Sequence, residues 1–445
     1  MNAPPANATG DVFGVGTGSA TGDATATAGN APERAYLVGV QRRGQEPAET
    51  AALLAELREL VENTGALVAG AEIARLREPS PAHLVGAGKV AEIAEAARAA
   101  GASLIVFDDE LTAAQQRNWE RDTALRVIDR REVILDIFAA RAETREAVLQ
   151  VGLARLEHQL PRLKRLWSHL DRQRGGGSTQ RAEGEKQIEL DQRLIRERIA
   201  KTRRELDAVI RHRGTQRKQR RRVPVPSAAI VGYTNAGKSS LLNALTGAGV
   251  FAADKLFATL DPTTRRLELP RGRALLLTDT VGFVRRLPHQ LVEAFKATLE
   301  EALNVDFLVH VVDLSSPEHE AHWRVTREVL AEIGAAGKPA LTVFNKVDLC
   351  AGTGEVAAAR AAVPGAVFIS AKTGAGFDTL LAALEHYAAA GNRAATLLIP
   401  HDRHDFLGVL HAAGAVLNEK HTDAGVRVEA MLPPRLDAAA RAFEG

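Results

Sequence analysis

One eight-residue segment limits the possible folds of this chain more than any other feature. Gly232-Tyr-Thr-Asn-Ala-Gly-Lys-Ser239 follows a short apolar stretch, Ala228–Val231, and precedes a sequence with the character of a helix. It has the full pattern of a phosphate-binding loop, in which glycines let backbone N–H groups turn toward phosphates at a helix N-terminus. Short apolar strands alternate with helical segments from there onward, which predicts a doubly wound, mostly parallel sheet.

The residues of this loop have distinct predicted roles. The ammonium of Lys238 is expected to reach the β- and γ-phosphates of a nucleotide, and the hydroxyl of Ser239 is expected to ligate Mg²⁺. The predicted nucleotide contacts in this segment are Gly232, Tyr233, Thr234, Asn235, Ala236, Gly237, Lys238, Ser239 and Ser240.

Two further segments are predicted to surround the γ-phosphate. Asp279-Thr-Val-Gly282 follows a predicted strand; its carboxylate is expected in the outer coordination sphere of Mg²⁺, and the Gly282 amide can donate to the γ-phosphate. Thr259, in the preceding loop, can complete the Mg²⁺ coordination when a triphosphate is bound. The predicted contacts are Phe257, Ala258, Thr259, Leu260, Asp261, Asp279, Thr280, Val281 and Gly282. Lys238, Thr259 and Gly282 are the predicted catalytic residues, with Ser239 and Thr259 as metal ligands.

Two segments nearer the C-terminus predict which base is bound. Asn345-Lys-Val-Asp348 ends an apolar strand, and a carboxylate there can accept both N–H groups of a guanine edge, a pattern that adenine does not offer. Ser370-Ala-Lys372 can close over the base through the amide of Ala371. The predicted contacts are Asn345, Lys346, Val347, Asp348, Ser370, Ala371 and Lys372. Five motifs in this order predict a protein that binds and hydrolyses GTP.

Two side chains predict how fast that hydrolysis is. Phe283 follows Asp279-Thr-Val-Gly282, where small signalling GTPases carry a water-orienting Gln. A phenyl ring cannot orient water, so we expect slow intrinsic turnover that a partner accelerates. Asn235 resembles the Asn with which cation-dependent GTPases bind K⁺ near the phosphates. A role in stabilising the loop is an equally weighted alternative for this residue.

The whole chain divides into five segments by pattern. Residues 1–33 are rich in Ala, Gly, Thr and Asn and are predicted to be a disordered tail. Residues 34–141 alternate strands and helices as a small α/β domain. Residues 142–222 carry apolar residues at intervals of three and four, as in a helical hairpin. The GTPase domain is expected over 223–391, and a small α+β domain over 392–445.

The hairpin has a glycine-rich tip, Gly175–Gly184, which we do not expect to continue a helix, and Pro161 is expected to kink or interrupt the first arm. A basic run extends from Arg203 to Arg222, and the tip adds Arg172, Arg174 and Arg181. Such charges suit contact with the phosphate backbone of RNA. Solvation of an exposed helical face is an equally weighted alternative.

Composition narrows the cellular setting. Positive and negative side chains nearly balance, at a net charge of +2, and the only cysteine is Cys350. That cysteine is predicted to be a non-catalytic thiol in a reducing compartment. The N-terminus lacks the basic and apolar regions of a signal peptide, and no stretch is long enough to cross a bilayer. We therefore expect a cytoplasmic monomer that makes no contact with DNA or with the membrane interior.

Gly86-Ala-Gly-Lys89 only resembles part of a phosphate-binding loop and is predicted to cap a helix.

Taken together, the sequence resembles the HflX family, ribosome-associated GTPases related to Obg. Beyond the GTPase motifs, the resemblance is carried by the segments Asp129–Phe138, Leu149–Val151, Leu160–Leu163 and Asp254–Arg265, and by the glycine-rich tip. It implies binding of the large ribosomal subunit and its RNA, and a role in ribosome splitting, rescue or maturation. Two other functions fit the residues: a GTPase that switches a protein effector through its coiled-coil arm, and a scaffold that holds GTP as a structural ligand.

Overall fold

The computed structural model describes residues 32–163, 178–220, 225–247, 257, 260–286, 302–350, 354–390 and 392–444. Side chains are described for these residues except 163, 178–188, 212–220 and 434–435. Several predictions therefore lie outside the described residues: the tail 1–31, the tip glycines of 175–177, Ala258 and Thr259, and the side chains of Arg172, Arg174, Arg181 and most of the basic run.

The first domain is a four-stranded parallel sheet with helices on both faces, in the strand order β2-β1-β3-β4. Its elements are β1 (Arg34–Gln41), α1 (Pro47–Asn63), β2 (Leu67–Arg75), α2 (Ala87–Ala99), β3 (Leu104–Phe107), α3 (Ala113–Thr123), β4 (Arg126–Asp129) and α4 (Arg130–Arg141). Successive side chains of β1 point to opposite faces: Leu37 packs with α1 and α4, and Val38 packs with α2 and α3.

Local chemistry sets the helix boundaries in this domain. Pro47 occupies the first turn of α1, where its missing N–H costs nothing. Thr112 and Gln115 form a capping box at the start of α3. The Asp129 carboxylate accepts from the Glu132 amide and caps α4, so β4 passes directly into that helix.

Two helices, α5 (Arg145–Leu163) and α6 (Ser178–Arg220), form the hairpin. They pack through Leu149, Leu153 and Leu156 of α5 against Ile199 and Leu206 of α6. The expectation that the glycine-rich tip ends before helix resumes was wrong in part, because α6 begins at Ser178 and runs through Gly184. A single glycine costs only about 1 kcal/mol in a helix, which a long packed helix can absorb. Pro161 likewise lies inside α5 and does not interrupt it within the described residues.

The GTPase domain contains the predicted doubly wound sheet. Its strand order is β10-β9-β8-β5-β7-β6, parallel except for β6, an antiparallel edge strand that the sequence patterns did not predict. The elements are β5 (Ser227–Gly232), α7 (Lys238–Thr246), β6 (Thr263–Glu268), β7 (Ala274–Asp279), β8 (Phe307–Asp313), α8 (His319–Glu332), β9 (Ala340–Asn345), α9 (Glu355–Ala362), β10 (Val367–Phe368) and α10 (Phe377–Ala389).

The C-terminal domain is a three-stranded antiparallel sheet, in the order β11-β13-β12, with its helices on one face. The elements are β11 (Arg393–Ile399), α11 (His404–Ala412), β12 (Val416–Thr422), β13 (Gly425–Leu432) and α12 (Pro434–Ala440). It is the small α+β appendage expected from the sequence, with β12 and α12 as elements that were not predicted. No helix among the described residues has the length and apolar character needed to span a membrane.

The first domain and the GTPase domain share one hydrophobic core. Ile134 and Phe138 of α4 belong to the same buried cluster as Tyr233, Phe257 and Phe283 of the GTPase domain. The rings of Phe138 and Phe257 meet edge to face, with their centroids 4.7 Å apart. The phosphate-binding region therefore packs directly against the first domain.

Candidate nucleotide-binding site

The phosphate-binding loop connects β5 to α7 and requires glycine at two places. Gly232 has a φ of +153°, and a Cβ there would lie 2.2 Å from the Val311 carbonyl oxygen. Gly237 has a φ of +91°, and a Cβ there would lie 2.2 Å from Nδ2 of Asn345. Any side chain at either position would collide with its neighbours, so the spacing of the two glycines fixes the path of the loop.

Lys238 is the first residue of α7, and its side chain turns back over the loop. Nζ donates a hydrogen bond to the Tyr233 carbonyl oxygen at 2.8 Å, and the side chain is buried. Burial lowers the pKa of Lys238 to about 8, although the charge of Asp279 acts in the opposite direction. A buried ammonium of this kind gains from a nearby anion, since its charge has lost most of its hydration.

Ser239 and Asp279 bring hard oxygen atoms together beside the loop. The Ser239 hydroxyl donates to Oδ2 of Asp279 at 2.6 Å, and Asp279 is fully buried at the end of β7. A hydroxyl and a carboxylate are oxygen ligands that suit Mg²⁺, which typically completes its coordination with phosphate and water. Among the described residues no group of three or more His, Cys, Asp and Glu side chains could hold a metal. The Ser239 hydroxyl and the Asp279 carboxylate fit Mg²⁺ that is bound together with a nucleotide.

Residues 279–286, here called the switch segment, lie against the phosphate-binding loop. Phe283 pairs with the loop in a parallel bridge: its N–H donates to Gly232 O at 3.1 Å, and its carbonyl accepts from the Thr234 amide at 2.7 Å. At Gly282 a Cβ would lie 2.8 Å from the Thr234 Cα and 3.0 Å from Lys238 Nζ, so only glycine fits. Within the described part of the chain the Gly282 amide itself donates to no acceptor.

Thr234 links the switch segment to the loop that precedes β6. Its hydroxyl accepts from the Phe257 amide at 2.9 Å, while its own amide is bonded to Phe283. Phe257 is buried against α4 and has a positive φ of 55°. One residue of the phosphate-binding loop thus contacts both segments predicted to surround the γ-phosphate.

The predicted base contacts meet on the far side of the loop. Asn345 joins them: Nδ2 donates to Ala236 O at 2.9 Å, and Oδ1 accepts from the Ala371 amide at 2.9 Å. The amide assigned to the base from sequence is therefore bonded to Asn345 here.

The other predicted base contacts differ in exposure. Asp348 lies exposed on a short 3-10 turn, and Lys346 forms an ion pair with Asp313 at 2.7 Å. Among the remaining base contacts, Ser370 is buried and Lys372 is exposed.

Two predicted nucleotide contacts have surroundings that the sequence did not indicate. Asn235 is exposed with a φ of +59°, and its side chain makes no hydrogen bond with the described residues. Asp261 accepts from the Glu143 and Thr144 amides at 3.2 and 3.0 Å and from the Thr144 hydroxyl. Its carboxylate thus binds the two residues that precede α5, and the Thr144 hydroxyl in turn accepts from the Ala147 amide and caps that helix.

Sequence reasoning missed Glu56 of α1 as a residue of this region. Glu56 Oε2 accepts from the Tyr233 hydroxyl at 2.8 Å and from Nε of Arg285 at 3.1 Å. A signal was present, because Glu56 falls on the same helical face as Leu53, Leu57 and Leu60, where a carboxylate needs a buried partner.

A phosphate-binding loop at the carboxyl end of β5, a Ser–Asp pair beside it and an Asn–Lys–x–Asp turn across from it define a P-loop guanine-nucleotide-binding protein. The sequence matches three family profiles: GTP-binding GTPase N-terminal over 51–139, GTP-binding GTPase Middle Region over 141–220, and 50S ribosome-binding GTPase over 227–346.

Relatives extend this similarity over most of the chain. It is 50% identical over 412 residues to the GTPase HflX of Akkermansia muciniphila, covering 90% of this chain and 94% of that protein. The GTPase HflX of Lacrimispora saccharolytica is 46% identical over 406 residues, with 91% and 95% covered. That of Escherichia coli K12 is 44% identical over 356 residues, with 80% and 83% covered. The chain belongs to the HflX family of GTPases; it binds and hydrolyses GTP.

Proposed function

We propose that this GTPase acts on the large (50S) ribosomal subunit in the cytoplasm, in ribosome splitting, rescue or biogenesis. The observation that carries the proposal is the match to a 50S ribosome-binding GTPase over 227–346. This range spans the phosphate-binding loop, the switch segment and the first two residues of Asn345-Lys-Val-Asp348. Exposed Arg198, Arg204 and Arg211 on α6 support it, because arginines along one helix suit the phosphates of RNA.

In this proposal the loop and the switch segment grip the triphosphate from two sides. Lys238 neutralises the β- and γ-phosphates, and the Gly282 amide donates to a γ-phosphate oxygen. Ser239 and Thr259 would ligate Mg²⁺, with Asp279 in its outer sphere. When bound, Mg²⁺ supplies positive charge that offsets the charge developing on the phosphates. The protein itself contributes hydrogen-bond donors that are held where negative charge develops on the phosphates.

Guanine selection is assigned to Asp348. Its exposed carboxylate is free to accept two N–H groups of a base, while Asn345 holds the phosphate-binding loop and the 370–372 segment at a fixed separation. Adenine presents no matching pair of donors, so it leaves the carboxylate unpaired.

The slow step is assigned to water activation. Phe283 is buried and its backbone is bonded to the phosphate-binding loop, so this position offers no side-chain group to orient a water. We therefore expect low intrinsic turnover, which the ribosome raises by ordering the segments around the γ-phosphate.

The decisive experiment is the GTPase rate with and without purified 50S subunits. We expect a large increase with 50S subunits and little with 30S subunits, which serve as the matched control. Binding to 50S should weaken steeply as salt rises, because RNA contacts release counterions. Equal rates with and without 50S would refute the ribosomal assignment and leave the GTPase activity standing.

A second candidate is a regulatory GTPase that switches a protein effector. Leu190 and Leu194, four residues apart on α6, are 54% and 46% exposed, so they offer an apolar pair to a partner helix. Binding through this pair would depend weakly on salt and would be lost in Leu190→Ser/Leu194→Ser. Ribosome-stimulated turnover that survives this double substitution favours the first function.

A further inference from the structure

A cluster of buried and partly buried polar side chains joins the first domain to the phosphate-binding loop. We call it the interdomain clamp and define it as Glu56, Arg130, Tyr233, Arg285 and Glu318. Glu56 and Arg130 come from helices α1 and α4 of the first domain. Tyr233 belongs to the phosphate-binding loop, Arg285 to the switch segment, and Glu318 precedes α8.

Glu56 lies at the centre of the clamp. Oε1 accepts from the Arg130 guanidinium, and Oε2 accepts from both the Tyr233 hydroxyl at 2.8 Å and Arg285 Nε at 3.1 Å. Arg285 also binds Glu318 through both terminal nitrogens, at 3.1 and 2.6 Å. Bidentate pairs fix orientation as well as distance. One carboxylate of the first domain therefore binds both the phosphate-binding loop and the switch segment.

Two hydrogen bonds and a stacked ring fix the position of the Tyr233 side chain. Its hydroxyl donates to Glu56 and accepts from the Arg285 amide at 2.8 Å, and its ring stacks on His322 with centroids 3.8 Å apart. Burial, together with the charge of Glu56, raises the pKa of Tyr233. The phenol consequently stays protonated and keeps its hydrogen bond to Glu56 at all physiological pH values.

Short lengths of backbone connect the clamp to the part of the site predicted to bind the γ-phosphate. Tyr233 and Phe283 form the parallel bridge, and Arg285 is two residues beyond Phe283. Gly282, immediately before Phe283, keeps its N–H unpaired among the described residues. The segment that carries this donor is thus fixed at Phe283 and Arg285 while the donor itself is available. Preorganised donors of this kind lower a barrier because they need no rearrangement during reaction.

We propose that Glu56 is a positioning residue for GTP hydrolysis, acting through Tyr233 and Arg285 to hold the Gly282 amide toward the γ-phosphate. The inference rests on the role proposed above for Gly282. It makes the first domain part of the catalytic arrangement of the GTPase domain, although Glu56 does not touch the nucleotide. GDP lacks the γ-phosphate, so its affinity should not depend on the clamp.

The test uses the full chain with Glu56→Gln and, separately, Tyr233→Phe, which removes a single oxygen atom and leaves the ring stacked. Both should lower kcat for GTP hydrolysis about tenfold and weaken binding of a non-hydrolysable GTP analogue, with GDP affinity changed less than twofold. The matched control is Glu62→Gln on the same helix. Glu62 is exposed, and its ion pair with Arg58, at 4.0 Å, lies on the surface, so that variant should behave as wild type.

Each other result has a definite meaning. An unchanged or increased kcat in both clamp variants would overturn the proposal, because the clamp would then be neutral or inhibitory. An equal loss of GDP and GTP-analogue affinity in Tyr233→Phe, at an unchanged Tm, would also overturn it, since the loop as a whole would have moved. Failure of wild type to bind GTP in preference to ATP would instead refute the proposed site, whatever the clamp variants show.

Discussion

The Asp261 carboxylate binds Thr144, a residue 117 positions earlier in the chain that caps α5, with 3.0 Å between Thr144 N and Oδ2 of Asp261. The contact ties the loop before β6 to the junction between the first domain and the hairpin. Asp261 was predicted from sequence to bind nucleotide. That role stays a prediction; in the structure its carboxylate accepts three donors on the two residues that precede α5.

Asp261→Ala should therefore reduce stability more than nucleotide affinity. Loss of the carboxylate removes a charged acceptor from three hydrogen bonds of the chain and costs about 2 kcal/mol. We expect a lower midpoint of urea unfolding, with GDP affinity within twofold of wild type. Asp261→Asn retains an acceptor oxygen and serves as the control, with a smaller loss. A large drop in GDP affinity at unchanged stability would show that Asp261 belongs to the nucleotide site after all.

Lys238→Ala should abolish tight nucleotide binding. The side chain is buried and its ammonium is the charge that the loop directs at the phosphates, so its loss removes several kcal/mol of electrostatic stabilisation. Titration with a fluorescent GDP should show at least a hundredfold weaker affinity. Lys420→Ala, at an exposed lysine of β12 outside the predicted contacts, is the control and should bind nearly as wild type. Normal affinity in Lys238→Ala would exclude the proposed site.

The same lysine predicts how affinity depends on pH. Burial lowers the pKa of Lys238 to about 8 in the free protein, and bound phosphate favours the charged form and must raise it. Below pH 8 the ammonium is already charged, so affinity for GDP should be flat. Above pH 8 binding requires proton uptake, and affinity should fall by up to tenfold per pH unit. Calorimetry in two buffers of different ionisation enthalpy measures that uptake directly; no uptake at pH 9 would contradict the prediction.

Asp348→Asn should change which base is preferred. A carboxylate accepts two N–H groups from guanine, whereas an amide presents one donor and one acceptor. Xanthine carries a carbonyl oxygen where guanine carries its amino group, so the variant should prefer xanthosine nucleotides. Competition of XDP and GDP for the site measures the reversal. Because Asp348 is exposed, the variant should unfold at the wild-type temperature, which controls for misfolding.

The sequence predicted the site where chemistry dictates residue type at fixed spacing. Gly232 and Gly237 could be assigned because any Cβ there collides with backbone or Asn345. Edge strand β6 was missed because its pattern, with exposed Arg265 and Arg266, gives little apolar signal. The bonds of Glu56 to Tyr233 were missed because they join residues 177 apart, and no local pattern encodes such a pairing. Thr259 remains a prediction.

Replacing K⁺ with Na⁺ should slow GTP hydrolysis if Asn235 helps to bind a cation beside the phosphates. Its side chain is exposed and makes no hydrogen bond with the described residues, so it is available as a ligand. The positive φ of 59° also suits Asn for conformational reasons alone, which is the competing explanation. Asn235→Gly separates the two, because glycine keeps this backbone conformation but has no side-chain oxygen. We expect wild type to turn over faster in K⁺ than in Na⁺ and Asn235→Gly to be equally slow in both, measured by phosphate release at matched ionic strength. Equal wild-type rates in the two salts would leave Asn235 as a loop residue only.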